Sequence, residues 1–194
     1  TMTEKLTALS DDMDTYISIL SSFKGIMDSA QCIIATTKVM LPSLETVLDS
    51  SKTSLSSMQT MVNSSTSTVN TVSDMMLTSL DMIDNTLTMI SNVVNSNLSS
   101  AQAISKAVLN GIGAVNNMIP YAKDIFNSSV SGIESKGDEK INAQINVIRA
   151  QFDTIKSDAD HVGSSAAVAV ANSNDLIAKV QAEIKVCSDD IAAL

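Results

Sequence analysis

One periodicity constrains this chain more than any other feature. Leu6, Leu9, Met13, Tyr16, Leu20, Phe23, Met27, Ala30 and Ile34 follow one another in alternating steps of three and four. That spacing brings side chains back to one helix face, and four heptads of it make a seam along which helices pack together. A second series keeps the same steps with poorer residues: Leu48, Ser51, Leu55, Met58, Val62, Ser65, Val69, Val72 and Met76. It then shifts by about one residue to Leu80, Ile83, Leu87, Ile90 and Val94, and continues through Leu98, Ala101, Ile104 and Val108. A last series runs Ile141, Ile145, Ile148, Phe152, Ile155, Ala159, Val162, Ala166 and Ala169, then passes to Ile177, Val180, Ile184, Cys187, Ile191 and Leu194.

Punctuation between these series is sparse. Two Pro and six Gly in 194 residues cannot supply the turn every 8–12 residues that an all-β sandwich or barrel needs. A proline removes a backbone donor and restricts the residue before it, so Pro42 is read as ending or kinking the first helix and Pro120 as stopping the second. Ser43 then suits the first cap of the next helix. Gly137 and the polar stretch Glu134 to Lys140 mark a turn, with Asp138 able to cap the last helix. The expected fold class is all-α: an elongated antiparallel helical bundle or coiled coil of three to four long helices in one domain, 1–194. The expected helices cover about 3–40, 43–118, 121–135 and 138–194. The polar run 63–68 is either a tolerated turn or a break in the second. The lengths suggest a long second helix flanked by the first on one half and the last on the other. Gly163 opens a small-residue section, through Ala171, where a neighbouring helix can approach closely.

Composition sharpens this picture. The chain has no Trp, two Tyr and three Phe, yet 44% of its residues are hydrophobic, so its core is aliphatic. Charged residues make up 17%, against about 25% in ordinary proteins. Between Thr53 and Ser105 the only charges are Asp74, Asp81 and Asp84, and Ser, Thr and Asn hold the outer positions. A net charge of -9 without a basic patch or an aromatic platform argues against nucleic-acid binding.

Signals for chemistry are weak. His161 is the lone histidine, beside Asp158 and Asp160; a triad or a zinc motif needs more partners, and a solvated helix face is the simpler reading. The acidic pairs Asp11-Asp12, Asp138-Glu139 and Asp189-Asp190 lack the glycine and terminal Glu of a calcium loop. Gly111-Ile112-Gly113 follows a helical pattern and lacks the third glycine of a dinucleotide loop. Cys32 and Cys187 read as small buried hydrophobes, with a disulfide between the first and last helices as the alternative in an exported chain. Sequons at Asn63, Asn97 and Asn127 arise readily in a Ser/Asn-rich chain. No catalytic residue, cofactor or metal is expected. Eleven Met are present; most fit core filling, but Met75, Met82 and Met89 lie off the seam and offer a surface to a second copy.

No run approaches the roughly 18 apolar residues that a membrane helix needs. The start at Thr1 suggests a piece of a longer protein.

The stretch Met40 to Ser51, with Ser54 to Met58 and Leu80 to Leu87, resembles the Ser/Thr/Asn-rich heptad stalks of the YhgE/Pip, or phage infection protein, family. The likeness covers about Leu20 to Asn110. It implies a membrane protein of Gram-positive bacteria, with one transmembrane helix before a large extracellular region and several after it. It also implies a part in phage attachment or DNA entry, or a link to type VII secretion. The expectation is therefore a non-enzymatic extracellular stalk, a spacer and docking surface that self-associates as a homodimer, reaching the membrane only through other segments. A helical sensor domain of a chemoreceptor or kinase, an α-helical pore-forming toxin and a phage tape-measure scaffold are the alternatives.

Overall fold

The structure, a computed structural model, describes residues 1–64 and 69–192, without the side chains of 62–73 and 191. The protein is all-α, with no strand among the described residues. Helix α1 spans Met2–Ser64 and α2 spans Val69–Val93. A π-helical segment, Val94–Leu98, leads directly into α3, Ser99–Glu134, and α4 spans Glu139–Ala192. Asn63 and Ser64 still belong to α1, and the rest of the suspected break, 65–68, lies outside the described residues.

Both prolines sit inside helices, which corrects the expected ends at 40 and 118. The reason is the seam. Ile34, Thr37, Leu41, Leu48, Ser51 and Leu55 are all buried, so the three-four spacing crosses Pro42 unbroken. Pro42 itself is exposed, one position off that line. Its missing donor and its ring clash fall on the solvent side, and the buried face on either side holds the helix together. Pro120 is likewise exposed, between the buried Ile112 and Phe126.

The π segment has a similar cause. Ile83, Thr86 and Ile90 keep three-four steps, and then Val94 and Leu98 follow in two successive steps of four. One residue too many has entered the repeat. A π turn absorbs it, and both Val94 and Leu98 stay buried. Beyond it the seam is Leu98, Ala101, Ser105, Val108 and Ile112. Ile104, expected in the seam, is 42% exposed, whereas Ser105 is 0% exposed. Tyr16 is likewise turned out.

Contacts gather into two units: 1–30 with 103–170, and 31–102 with 171–194. In the first unit, Thr7 meets Gln144, and Ser10 and Asp14 meet Gln151, so α1 runs parallel to α4. Asn127 meets Arg149, Lys123 meets Asp153 and Asn116 meets Lys156, so α3 runs antiparallel to α4. Phe126 and Phe152 pack with ring centres 5.7 Å apart. In the second unit Lys52 on α1 pairs with Asp190 on α4, and Ser79 on α2 reaches Met58 on α1. Within each unit α1 touches α4 directly, which differs from the expected layout of first and last helices on separate halves. Both helices carry a buried face along each unit, and each face needs a neighbour there.

The turn between α3 and α4 matches the sequence closely. Gly137 takes φ +78°, a conformation that side chains disfavour. Its N–H donates to the Glu134 carbonyl at 3.1 Å, and Asp138 Oδ1 accepts from the Ile141 N–H at 3.1 Å as the N-cap.

The helix interiors set two stability outcomes. Pro42→Ala restores a helix hydrogen bond on an exposed face, so it raises unfolding free energy by up to about 3 kcal/mol; chemical denaturation of both proteins measures it. A Cβ on Gly163 would stand 3.0 Å from Ile112 Cγ2. Gly163→Leu therefore costs about 1–3 kcal/mol by overpacking, whereas Gly111→Ala, with open space around it, gains up to about 1 kcal/mol, in the same assay.

Candidate functional site

The grooves between helices differ in the chemistry of the positions beside the seam. In the first unit the α3–α4 flank is polar and charged. The Arg149 guanidinium grips Glu134 through Nη1 at 2.5 Å and Nη2 at 3.2 Å, and its Nε donates to Asn127 Oδ1 at 2.9 Å. This fork fastens the end of α3 to α4. The α1–α4 flank is polar as well: the buried Gln151 accepts from Ser10 Oγ and donates back to the Ser10 carbonyl and to Asp14 Oδ1.

His161 is exposed on α4 beside two shallow hollows. One is lined by Asp153, Lys156 and Asp160, the other by Leu20, Lys24 and Asp158. Two of the nearby carboxylates are engaged elsewhere. Asp160 accepts from Lys156 Nζ at 2.6 Å, and Asp153 from Lys123 Nζ at 2.6 Å. Among the described residues no group of three or more His, Cys, Asp or Glu is placed to hold a metal ion.

The acidic pairs at 138–139 and 189–190 have local partners. Asp138 caps α4, Asp189 pairs with Lys185 at 2.7 Å and Asp190 with Lys52 at 2.6 Å. Gly111 and Gly113 lie inside α3. Of the sequons, Asn97 is exposed in the π segment and Asn127 is engaged by Arg149; the Asn63 side chain is outside the described residues. Cys187 is buried, as expected, but Cys32 is exposed, and both are free thiols. Cys32 lies two residues before the buried Ile34 and points away from the seam. Burial pushes the Cys187 thiol up, with Asp190 and Asp49 adding to it against the pull of Lys52, so this sulfur stays protonated and unreactive.

The second unit holds a carboxylate pair that the repeat alone does not announce. Glu45 and Glu183 face each other from α1 and α4. Burial, a hydrogen bond to Glu45 and the charges of Glu45 and Asp49 push the Glu183 carboxyl up to about 7, while Lys179 opposes the shift. The spacing of four from the buried Leu41 to Glu45 is the sequence signal for it. Only the pairing of α1 with α4 shows which glutamate it meets.

Met75, Met82 and Met89 line one side of α2, each exposed. Met82 and Met89 immediately precede the buried Ile83 and Ile90. In the first unit the corresponding flanks carry Ile19 and Ile26 on α1 and Met118 and Ile125 on α3, also exposed.

No family model, curated protein or solved structure matches this chain. No helix is long and apolar enough to cross a membrane among the described residues.

The Glu45–Glu183 pair sets a pH dependence. Folded Glu183 holds its proton up to about pH 7, whereas the unfolded side chain releases it near pH 4.5. Between these values the folded state binds more protons, so stability falls as pH rises through that window. Glu183→Gln removes this part of the slope and raises the thermal midpoint at pH 8 relative to wild type. Melting curves of both proteins from pH 4.5 to 8 measure it; an unchanged slope contradicts the pairing.

Proposed function

We propose that this chain is a non-enzymatic helical stalk, an elongated antiparallel bundle or coiled coil that serves as spacer and docking surface. The observation that carries this reading is the buried line of α1, which keeps heptad spacing from Leu6 to Leu55 across an internal proline. A repeat maintained through so unfavourable a residue indicates that continuity of the helix is what the sequence preserves. The absence of charge over most of 53–105 supports a surface solvated by Ser, Thr and Asn.

The resemblance to YhgE/Pip stalks supports a more specific reading: an extracellular segment of a bacterial membrane protein, of the Gram-positive type, that takes part in phage attachment or type VII secretion and self-associates. On this reading the chemistry is mechanical. The rod holds a recognition surface away from the membrane, and it contributes no catalytic group of its own.

Small-angle scattering of the whole chain tests the shape. A stalk gives a radius of gyration well above the roughly 16 Å of a compact chain of 194 residues. A value near 16 Å sinks the stalk.

A further inference from the structure

In the first unit the groove between α1 and α4 carries one rung that the two helices do not complete between themselves. The α4 positions facing α1 repeat every seven residues as Gln144, Gln151 and Asp158. Gln144 donates to Thr7, and Gln151 is engaged by Ser10 and Asp14. One heptad farther on, Ile17 and Ser21 take the places of Ser10 and Asp14, and a carboxylate takes the place of the amide. Asp158 is half-buried there. Among the described residues its side chain has no hydrogen bond or ion pair, and neither has that of Lys24. A charge drawn partly out of water without a partner is unfavourable.

Both charges line one hollow of about 420 Å3, a volume within the roughly 300–1,000 Å3 of small-ligand sites. Its floor is the buried Leu20 and Val162, and Ser21, His161 and Ser165 complete its wall. The other hollow beside His161 differs in its chemistry. There Lys156 pairs with Asp160, and Asp153 pairs with Lys123, so its charges are already matched within the protein. The contacts of Thr7, Ser10 and Asp14 set Asp158 level with α1 residues between 17 and 21. Lys24 therefore stands about 5–10 Å farther along the groove, at 1.5 Å per residue.

We propose that this hollow binds a small zwitterion of the α-amino acid class, its ammonium on Asp158, its carboxylate on Lys24 and an uncharged side chain against Leu20 and Val162. The span fits such a ligand. An α-amino acid keeps its ammonium nitrogen about 2.5 Å from its carboxyl carbon, and a charged hydrogen bond at each end adds about 2.8 Å. The pair of charges also selects against simpler ligands. A plain anion would meet Lys24 but face the unmatched carboxylate of Asp158, and a plain cation would meet Asp158 but face the ammonium of Lys24. A zwitterion answers both charges and leaves the net charge of the site unchanged. This site goes beyond the stalk reading and does not depend on it.

Isothermal titration calorimetry of the full chain with L-alanine, L-serine and L-leucine, from micromolar to tens of millimolar, tests it at neutral pH. At least one of the three is expected to bind saturably. Asp158→Asn and Lys24→Gln are each expected to weaken that binding at least tenfold, with helicity unchanged by circular dichroism. N-acetyl-L-alanine, which lacks the ammonium, and L-alaninamide, which lacks the carboxylate, are expected to bind at least tenfold more weakly than L-alanine. Lys156→Gln, in the other hollow, leaves binding unchanged. Wild type that binds none of the three amino acids overturns the proposal. So does binding that Lys24→Gln leaves intact, since Lys24 is exposed and its replacement does not disturb the core. An analogue with one charge that binds as well as the amino acid also overturns it, because the hollow then recognises a single charge.

Discussion

Burial of one face per helix, at heptad spacing, is the constraint on which the other features depend. It decides positions irrespective of the residue found there. Ser105 goes inside and Ile104 outside because phase from Leu98 and Ala101 dictates it, although the exchange places a hydroxyl in the core and an isoleucine in water. The same phase carries α1 through Pro42 and forces a π turn where an extra residue enters between Ile90 and Leu98. Each of these local penalties is smaller than the loss of a whole buried face would be, since each fully buried aliphatic side chain contributes about 1.5–3 kcal/mol.

The two units satisfy that constraint with different materials. In the first, the core holds Ile145, Ile148, Phe152, Ile155, Phe126 and Met27, with Ser105 and Gln151 as its buried polar residues among those described. In the second, Thr37, Ser51, Ser79, Thr86 and Ser173 are buried among the aliphatics. Thr37 and Thr86 return their hydroxyls to the Ile33 and Met82 carbonyls one turn back, at 2.8 and 2.7 Å, so these groups are satisfied within their own helix. Such small polar residues narrow the core and reduce its apolar area. The second unit is also where Met75, Met82 and Met89 lie exposed.

The helical class, the buried seam of α1 up to Ile34 apart from the exposed Tyr16, the turn at Gly137 with its Asp138 cap and the close approach at Gly163 are all legible in the sequence, because each depends on local spacing or on a single residue's geometry. The helix ends near the prolines are not, for a specific reason. Thr37, Leu41 and Leu44 continue the series past Ile34, and a proline rule applied locally misses a repeat that continues through the proline. Pairing is not legible either. That Glu45 meets Glu183, or that Arg149 meets Glu134, depends on which helices are neighbours and in what direction, and a seven-residue period does not specify either.

The polar contacts supply the alignment that the period leaves open. An aliphatic seam with a regular repeat fits its neighbour equally well after a slip of one heptad, so hydrophobic burial alone leaves alignment degenerate. Contacts that occur once remove the degeneracy. Gln151 is buried with both ends of its amide engaged by Ser10 and Asp14, and a slip would leave that amide unpaired in the core, a penalty of about 1–3 kcal/mol. The Arg149 fork on Glu134 and Asn127 does the same for α3 against α4, because a guanidinium accepts few substitutes for a carboxylate in that geometry. In the second unit Lys52 with Asp190 and Gln102 with Asn174 are the corresponding pins. The exposed positions of these pairs limit their contribution to stability, yet alignment needs only a difference between registers. A chain with few charges thus places several of them where they select one register among many that its core would accept.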